Sequence, residues 1–252
     1  LVTMSNKCFR KMKEGEILNA SGKYAEALAL FLEMEKSCTT VDAKKAAQVG
    51  KATALNGLAR YEEALTAADL ALKYSKNTSI GGYFQRAIAN EALHRSAEAQ
   101  NDLHRIIDLT ERNENVRERA TLFAKMADLQ WKQGNRTEAE NNLRRAILLD
   151  PENTDFLLQR GNIRVALRQY EEALGDFDKA LELGRDDLEI YLLRTNTRFK
   201  QLEQKYQSRD ASRLHQKMTA QEKKQLCEDI AKAREKGAKD PQLDLLALTV
   251  CE

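Results

Sequence analysis

The stretch that decides the fold is 154–187, TDFLLQRGNIRVALRQYEEALGDFDKALELGRDD. It sets Gly161 in a first apolar-periodic run, Tyr170 at a break, and Ala173, Phe177 and Ala180 along a second run. Moving back 34 residues, 120–153 carries Ala127, Arg136, Ala139, Leu143 and Ala146 at the same places, closed by Pro151. A proline cannot continue a helix, because it lacks the amide donor and its ring clashes with the preceding turn.

The template fits further upstream. Residues 8–41 supply Gly15, Tyr24, Ala27, Phe31 and Met34; 45–78 supply Ala52, Tyr61, Ala64, Ala68 and Ala71; 80–113 supply Ala87, Ser96, Ala99, Leu103 and Ile106. A sixth, split repeat spans 188–241, with Thr195 at the small position and Leu226, Ile230 and Ala233 after an insertion at about 203–221. Two antiparallel helices approach closely only where small side chains sit at their crossing, so the Gly and Ala positions are expected to face one another. Phe31, Leu103, Leu143, Phe177 and Ile230 are expected to wedge between neighbouring pairs. A single pair cannot bury its apolar face, so stacking supplies the stability. A generic helical bundle would not hold so many positions in register.

This pattern resembles the tetratricopeptide repeat family over residues 8–241. The resemblance implies an all-α, right-handed superhelical solenoid of antiparallel helix pairs, with a groove lined by the first helix of each pair. Residues 242–252 read as a C-terminal capping helix, since an array must cover its last apolar face. Met34 and Ile106 replace the usual alanine, and Ser96 and Arg136 the usual turn tyrosine. Residues 114–119 contain no Gly or Pro and are expected to lengthen a helix.

Lys+Arg 41 against Asp+Glu 39 gives a formal net charge of +2, too balanced for a dedicated nucleic-acid binder. No apolar run approaches the ~20 residues of a membrane span. The sequence opens Leu1-Val2-Thr3-Met4-Ser5, without a signal-peptide pattern or an initiating Met, and is expected to be a trimmed or mature form. His94, His104 and His215 form no metal-ligand spacing, and neither a phosphate loop nor a nucleophile elbow is present. No cofactor or metal is expected, and nothing points to an enzyme.

The insertion carries Lys205, Arg209, Arg213 and Lys217 against Glu203 and Asp210. It reads as a solvated loop, with contact to an acidic partner or membrane surface as the alternative. Thr219 and Glu222 have the spacing of a capping box that restarts a helix.

Cys8 opens the first helix and Cys38 ends the second, so a hairpin brings them together; likewise Cys227 is expected near the start of one helix and Cys251 at the end of the helix that follows. Of three connectivities, hairpin geometry favours these two disulfides. They would mean an extracytoplasmic, for instance periplasmic, location; four reduced thiols in the cytoplasm are the alternative.

The first helices offer groove-facing Phe84 and Ile88, Asp128 and Trp131, then Leu158, Asn162 and Val165, and finally Leu192, Asn196 and Phe199. A carboxamide both donates and accepts, which suits an extended peptide backbone. Packing of the apolar residues between helices is the competing reading. Met12, Glu16 and Gly50 occupy places where a C-terminal-carboxylate chaperone clamp needs basic residues and asparagine, so that clamp is not expected. The expected partner is a protein or extended peptide held by a scaffold. A structural subunit, contacting an assembly through its convex face or basic insertion, is the alternative.

Overall fold

The computed structural model describes residues 4–111 and 114–251; Asn113, the last residue of the third repeat as read above, and Glu252 lie outside them. All fourteen regular elements among the described residues are α-helices. They divide between two compact bodies, 1–114 and 115–252.

The N-terminal body holds α1 (Asn6–Ala20), α2 (Tyr24–Ser37), α3 (Val41–Gly57), α4 (Tyr61–Tyr74), α5 (Ile80–Ala92) and α6 (Ser96–Thr110). Each helix packs on the next in sequence, and α1 also meets α3, as α3 meets α5. First helices therefore form one layer and second helices another. The layering is pinned by carboxamides. Asn19 Nδ2 donates to Gly50 O at 3.0 Å, and Asn56 Nδ2 to Gln85 O at 2.9 Å, each reaching the backbone of the following first helix.

The C-terminal body continues with α7 (Val116–Lys132), α8 (Arg136–Leu149), α9 (Thr154–Ala166), α10 (Tyr170–Glu182) and α11 (Leu188–Tyr206). It ends with α12 (Ala211–Lys217), α13 (Ala220–Glu235) and α14 (Pro241–Val250). The stretch without Gly or Pro does lengthen α7, which starts at Val116.

The small positions are fully buried: Ala52, Ala87 and Ala127 from first helices, and Ala27, Ala64, Ala99, Ala139 and Ala173 from second helices, each show no exposure. The glycines face something larger than expected. A Cβ at Gly15 would fall 3.0 Å or less from three ring atoms of Phe31, and one at Gly161 equally close to Phe177. The two repeats with Phe at that second-helix position are the two with Gly at the first-helix position; Ala68, Leu103 and Leu143 go with Ala52, Ala87 and Ala127. Phe31 reaches further, its ring also filling the space a side chain at Gly50 would need.

Two kinds of junction alternate. Before each first helix a side chain accepts from the helix backbone: Ser5, Thr40, Ser79, Asn115, Asn153 and Asp187. Such a cap satisfies one of the amides that a helix start leaves orphaned. The turns inside the five full pairs lack any such cap, at Lys23, Arg60, Arg95, Asn135 and Gln169. They are closed by backbone alone. The amide of Lys23 donates to Leu18 O, Arg60 to Leu55 O, Arg95 to Asn90 O, Asn135 to Gln130 O and Gln169 to Arg164 O, all at 2.8–2.9 Å. The preceding residue is left-handed in every case: Gly22, Ala59, His94, Gly134 and Arg168. That conformation suits glycine and strains the other three by crowding Cβ against the backbone.

Candidate functional site

The insertion is built into the fold and is not a solvated loop. α11 runs on to Tyr206, and α12 follows, capped by Asp210. Leu214 of α12 is fully buried, and Met218 nearly so, in a cluster with Leu202, Leu226, Ile230 and Leu243. Arg213 and Lys217 ride on this small helix, whereas Lys205 belongs to the end of α11 and Arg209 to the link between the two. Thr219 restarts the chain as expected: its hydroxyl accepts from Glu222 N at 3.2 Å, and its own N–H donates to Glu222 Oε2 at 2.9 Å. Burial alone would raise the Glu222 pKa, but Lys205 at 2.6 Å, the Thr219 amide and the Tyr206 hydroxyl at 2.8 Å hold it down to about 2.

Helix α14 packs beside α12 and α13 through Leu243, Ala247 and Val250. Between α11, α12 and α14 lies a cavity of about 950 Å³. Its wall is chiefly apolar, from Leu188, Leu192, Leu193, Phe199, Ala211, Leu243, Leu245 and Leu246. Thr195, Asn196, Gln242, Glu189, Asp240 and Arg209 add polar groups. Of the acids, Glu189 is held by Arg185 at 2.7 Å, and Asp240 accepts from Gln242 N at 2.9 Å as the cap of α14. The Thr195 hydroxyl is buried without a hydrogen-bond partner.

Three residues singled out from sequence meet here: Leu192, Asn196 and Phe199 line this cavity together. On α9 of the same body, Asn162 is exposed and Val165 half-buried, but Leu158 is only 4% exposed and packs with Phe177, Ala180 and Ile190. On α7, Asp128 is exposed and held by Lys132 at 2.7 Å, while half-buried Trp131 has the Arg136 guanidinium 5.9 Å from its ring centre. Phe84 and Ile88 are half-buried on α5 in the N-terminal body. There, Glu16 is paired with Lys13 at 2.9 Å.

Sequence reasoning missed a set of ion pairs between first and second helices. Arg86 holds buried Asp102 through two bonds of 2.9 and 2.7 Å. In the C-terminal body, Arg160 and Arg164 share buried Asp176, and Arg194 and Arg198 share buried Asp229. The signal was present: Arg86 and Asp102 have the same spacing as Arg160 and Asp176. Fork-shaped guanidinium contacts fix geometry as well as charge, so they hold α5 to α6, α9 to α10 and α11 to α13 in one arrangement.

Both cysteine pairs expected from hairpin geometry stand at disulfide distance. Cys8 and Cys38 have their Cα atoms 6.1 Å apart, and Cys227 and Cys251 theirs 5.7 Å apart. Cys227 lies in the middle of α13 and not near its start. The first pair is buried; in the second, Cys227 is half-buried and Cys251 exposed. Among the described residues, no helix is long and apolar enough to cross a membrane, and no three His, Cys, Asp or Glu side chains cluster as metal ligands.

Comparison with known proteins places this architecture. Residues 124–187 match a tetratricopeptide repeat model. The human mitochondrial import receptor subunit TOM70 is 33% identical over 85 residues, which are 34% of this chain and 14% of that protein's length. Pseudomonas aeruginosa pilF superposes with a TM-score of 0.58 at 15% identity, covering 84% of each chain. YrrB, described as a tetratricopeptide protein with an unusual peptide-binding site, has a TM-score of 0.51 at 19% identity, covering 80% of this chain and 90% of its own. Residues 124–187 are thus similar in sequence to the tetratricopeptide repeat, and most of the chain shares the fold of solved tetratricopeptide-repeat proteins.

Proposed function

We propose that the chain is a non-catalytic adaptor that binds an apolar stretch of a partner protein on the first helices of its last two repeats. The cavity at α11 carries this reading. Its volume of about 950 Å³ lies at the upper end for ligand pockets, and its wall is chiefly apolar, built on leucines from α11 and α14 with Phe199. Apolar side chains of the partner would fill it. Asn196 at its edge and Asn162 on α9, equivalent places in consecutive repeats, would pair with the partner's backbone. Tetratricopeptide-repeat proteins bind proteins or peptides, and the peptide site of YrrB shows this fold doing so.

The test is binding of peptides from a random library to the intact chain, followed by Leu192→Asp and Asn196→Ala. Leu192→Asp buries a charge against apolar ligand and should weaken binding at least tenfold; Asn196→Ala, which removes about 1 kcal/mol of hydrogen bonding, should weaken it severalfold. Selected peptides that bind both variants as tightly as the parent would refute the site. Trp131 emission that shifts on binding would extend the contact surface to α7.

The cysteine pairs support an oxidising, extracytoplasmic location, where disulfides persist. Thiol counting in denaturant on protein from its native source should then find none; four would place the chain in a reducing compartment.

A further inference from the structure

We infer that the Cys227–Cys251 bond is a redox latch on α14, and that breaking it dismantles the cavity wall α14 provides. The inference rests on the cavity being the binding site. The two cysteine pairs differ in access. Cys8 and Cys38 are 8% and 2% exposed, whereas Cys251 follows the last turn of α14 in the open. A reductant in solution therefore reaches the second bond first.

What the second bond holds is a helix with few other attachments. α14 has ten residues, and an isolated helix of that length is marginal in water. Its own buried anchors are Leu243, Ala247 and Val250. Its polar ties are an exposed Arg234–Asp244 pair at 2.9 Å and His215 Nδ1 to Val250 O at 3.2 Å. Exposed ion pairs contribute little. Yet α14 supplies Gln242, Leu243, Leu245 and Leu246 to the cavity, and its cap Asp240 as well. With α13 in place, tying down the roughly 15 residues between the end of α13 and Cys251 disfavours the detached helix roughly 150-fold by chain entropy. Removing that constraint leaves Leu243, Ala247, Val250 and half-buried Leu246, with these two polar ties, to hold the wall in place.

The chemistry needs a dithiol reductant. Its thiolate attacks the sulfur of the exposed residue Cys251, the S–S bond breaks, and Cys227 leaves as a thiolate that takes up a proton. The reductant's second thiol then displaces the Cys251 thiol from the mixed disulfide. Two electrons and two protons pass to the protein, and the reductant ends as a disulfide.

The experiment is a dithiothreitol titration of the intact, oxidised chain. Thiols are located by alkylation, α14 is followed by amide hydrogen exchange, and the cavity by 1-octanol binding at the methyl signals of Leu192 and Leu246. Two thiols, at Cys227 and Cys251, should appear before the other two. At that point α14 amides should exchange about 100-fold faster, those of α1–α10 should be unchanged, and octanol should bind at least tenfold more weakly. The Cys251→Ser variant, altered at an exposed site, should show the fast exchange and weak binding without reductant. Unchanged α14 exchange after reduction, or prior reduction of Cys8–Cys38, overturns the latch. No saturable octanol response in the oxidised chain overturns the cavity itself, and with it the gating, while the exchange data still decide whether the bond holds the helix.

Discussion

Replacing Gly161 by alanine puts one methyl group against the ring of Phe177 in the fifth repeat. That methyl would stand 2.7 Å from Cζ and 3.0 Å from Cδ1 of Phe177, where ordinary contact begins near 3.4 Å. The ring is fully buried and has nowhere to retreat without moving its neighbours. Overpacking of this kind costs about 1–3 kcal/mol. Alanine in mid-helix returns about 1 kcal/mol relative to glycine, so the net loss should be near 1 kcal/mol. Phe177→Leu alone leaves a void and should cost about 1–2 kcal/mol, below the range for truncation of phenylalanine to alanine. Together the two changes recreate the Ala127–Leu143 arrangement of the fourth repeat, and each should relieve the other. Urea denaturation followed by circular dichroism, run on all four members of the cycle, measures the coupling. It should be at least 1 kcal/mol in favour of the double variant. Additivity within the ~0.5 kcal/mol expected of independent sites, or a Gly161→Ala variant stabilised by the full helix-propensity gain, would show that the Gly–Phe pairing has no energetic content.

Other perturbations test other parts of the fold. Asp176→Asn leaves Arg160 and Arg164 without their shared carboxylate; by the usual cost of breaking a buried pair it should lose about 3 kcal/mol, measured by the same denaturation. Arg168→Gly relieves a left-handed residue at φ 62°; strain relief of ~1–2 kcal/mol, less the entropy glycine adds to the unfolded chain, should leave a gain of roughly 0.5–1 kcal/mol in thermal stability. Glu222 has its pKa depressed from 4.5 to about 2, so its stabilisation is complete above the ordinary value and is lost as pH falls toward the folded one. The stability difference between the parent and Glu222→Gln should be constant from neutral pH down to about 5 and vanish near 2; a difference that persists unchanged at pH 2 would sink the assignment.

The repeat was legible because its period rests on volume. Gly161, Ala173 and Ala180 must be small wherever two helices cross, and no other residue property can stand in for that. The capping box at Thr219 and Glu222 was legible for a similar reason, its chemistry being local. What escaped depends on neighbours distant in sequence. Leu214 gives no sign by itself that seven residues of a basic insertion form a docked helix; its partners Leu226 and Leu243 lie far along the chain. Arg86 and Asp102 look like surface charges on two helices until the crossing brings them together. Leu158 shows the limit of reading a face from helical phase alone: the position points between α9 and its neighbours, and Ile190 of the next repeat covers it. The contribution of α14 to the cavity was equally hidden, since only the fold places Leu246 opposite Leu192.

The alternation of junctions has a consequence for how such a chain can grow. A helix pair begins with its own hydroxyl, carboxamide or carboxylate cap and turns back on itself through backbone bonds that ask nothing of side chains. The instruction to start thus travels inside the segment that obeys it, and the instruction to turn is written in the backbone. A stretch copied from one cap to the next is therefore a portable unit, able to fold wherever it is pasted between two others. The residues at the turn, relieved of structural duty apart from one left-handed torsion, are free to drift, as glycine, alanine, histidine and arginine at the same place already have.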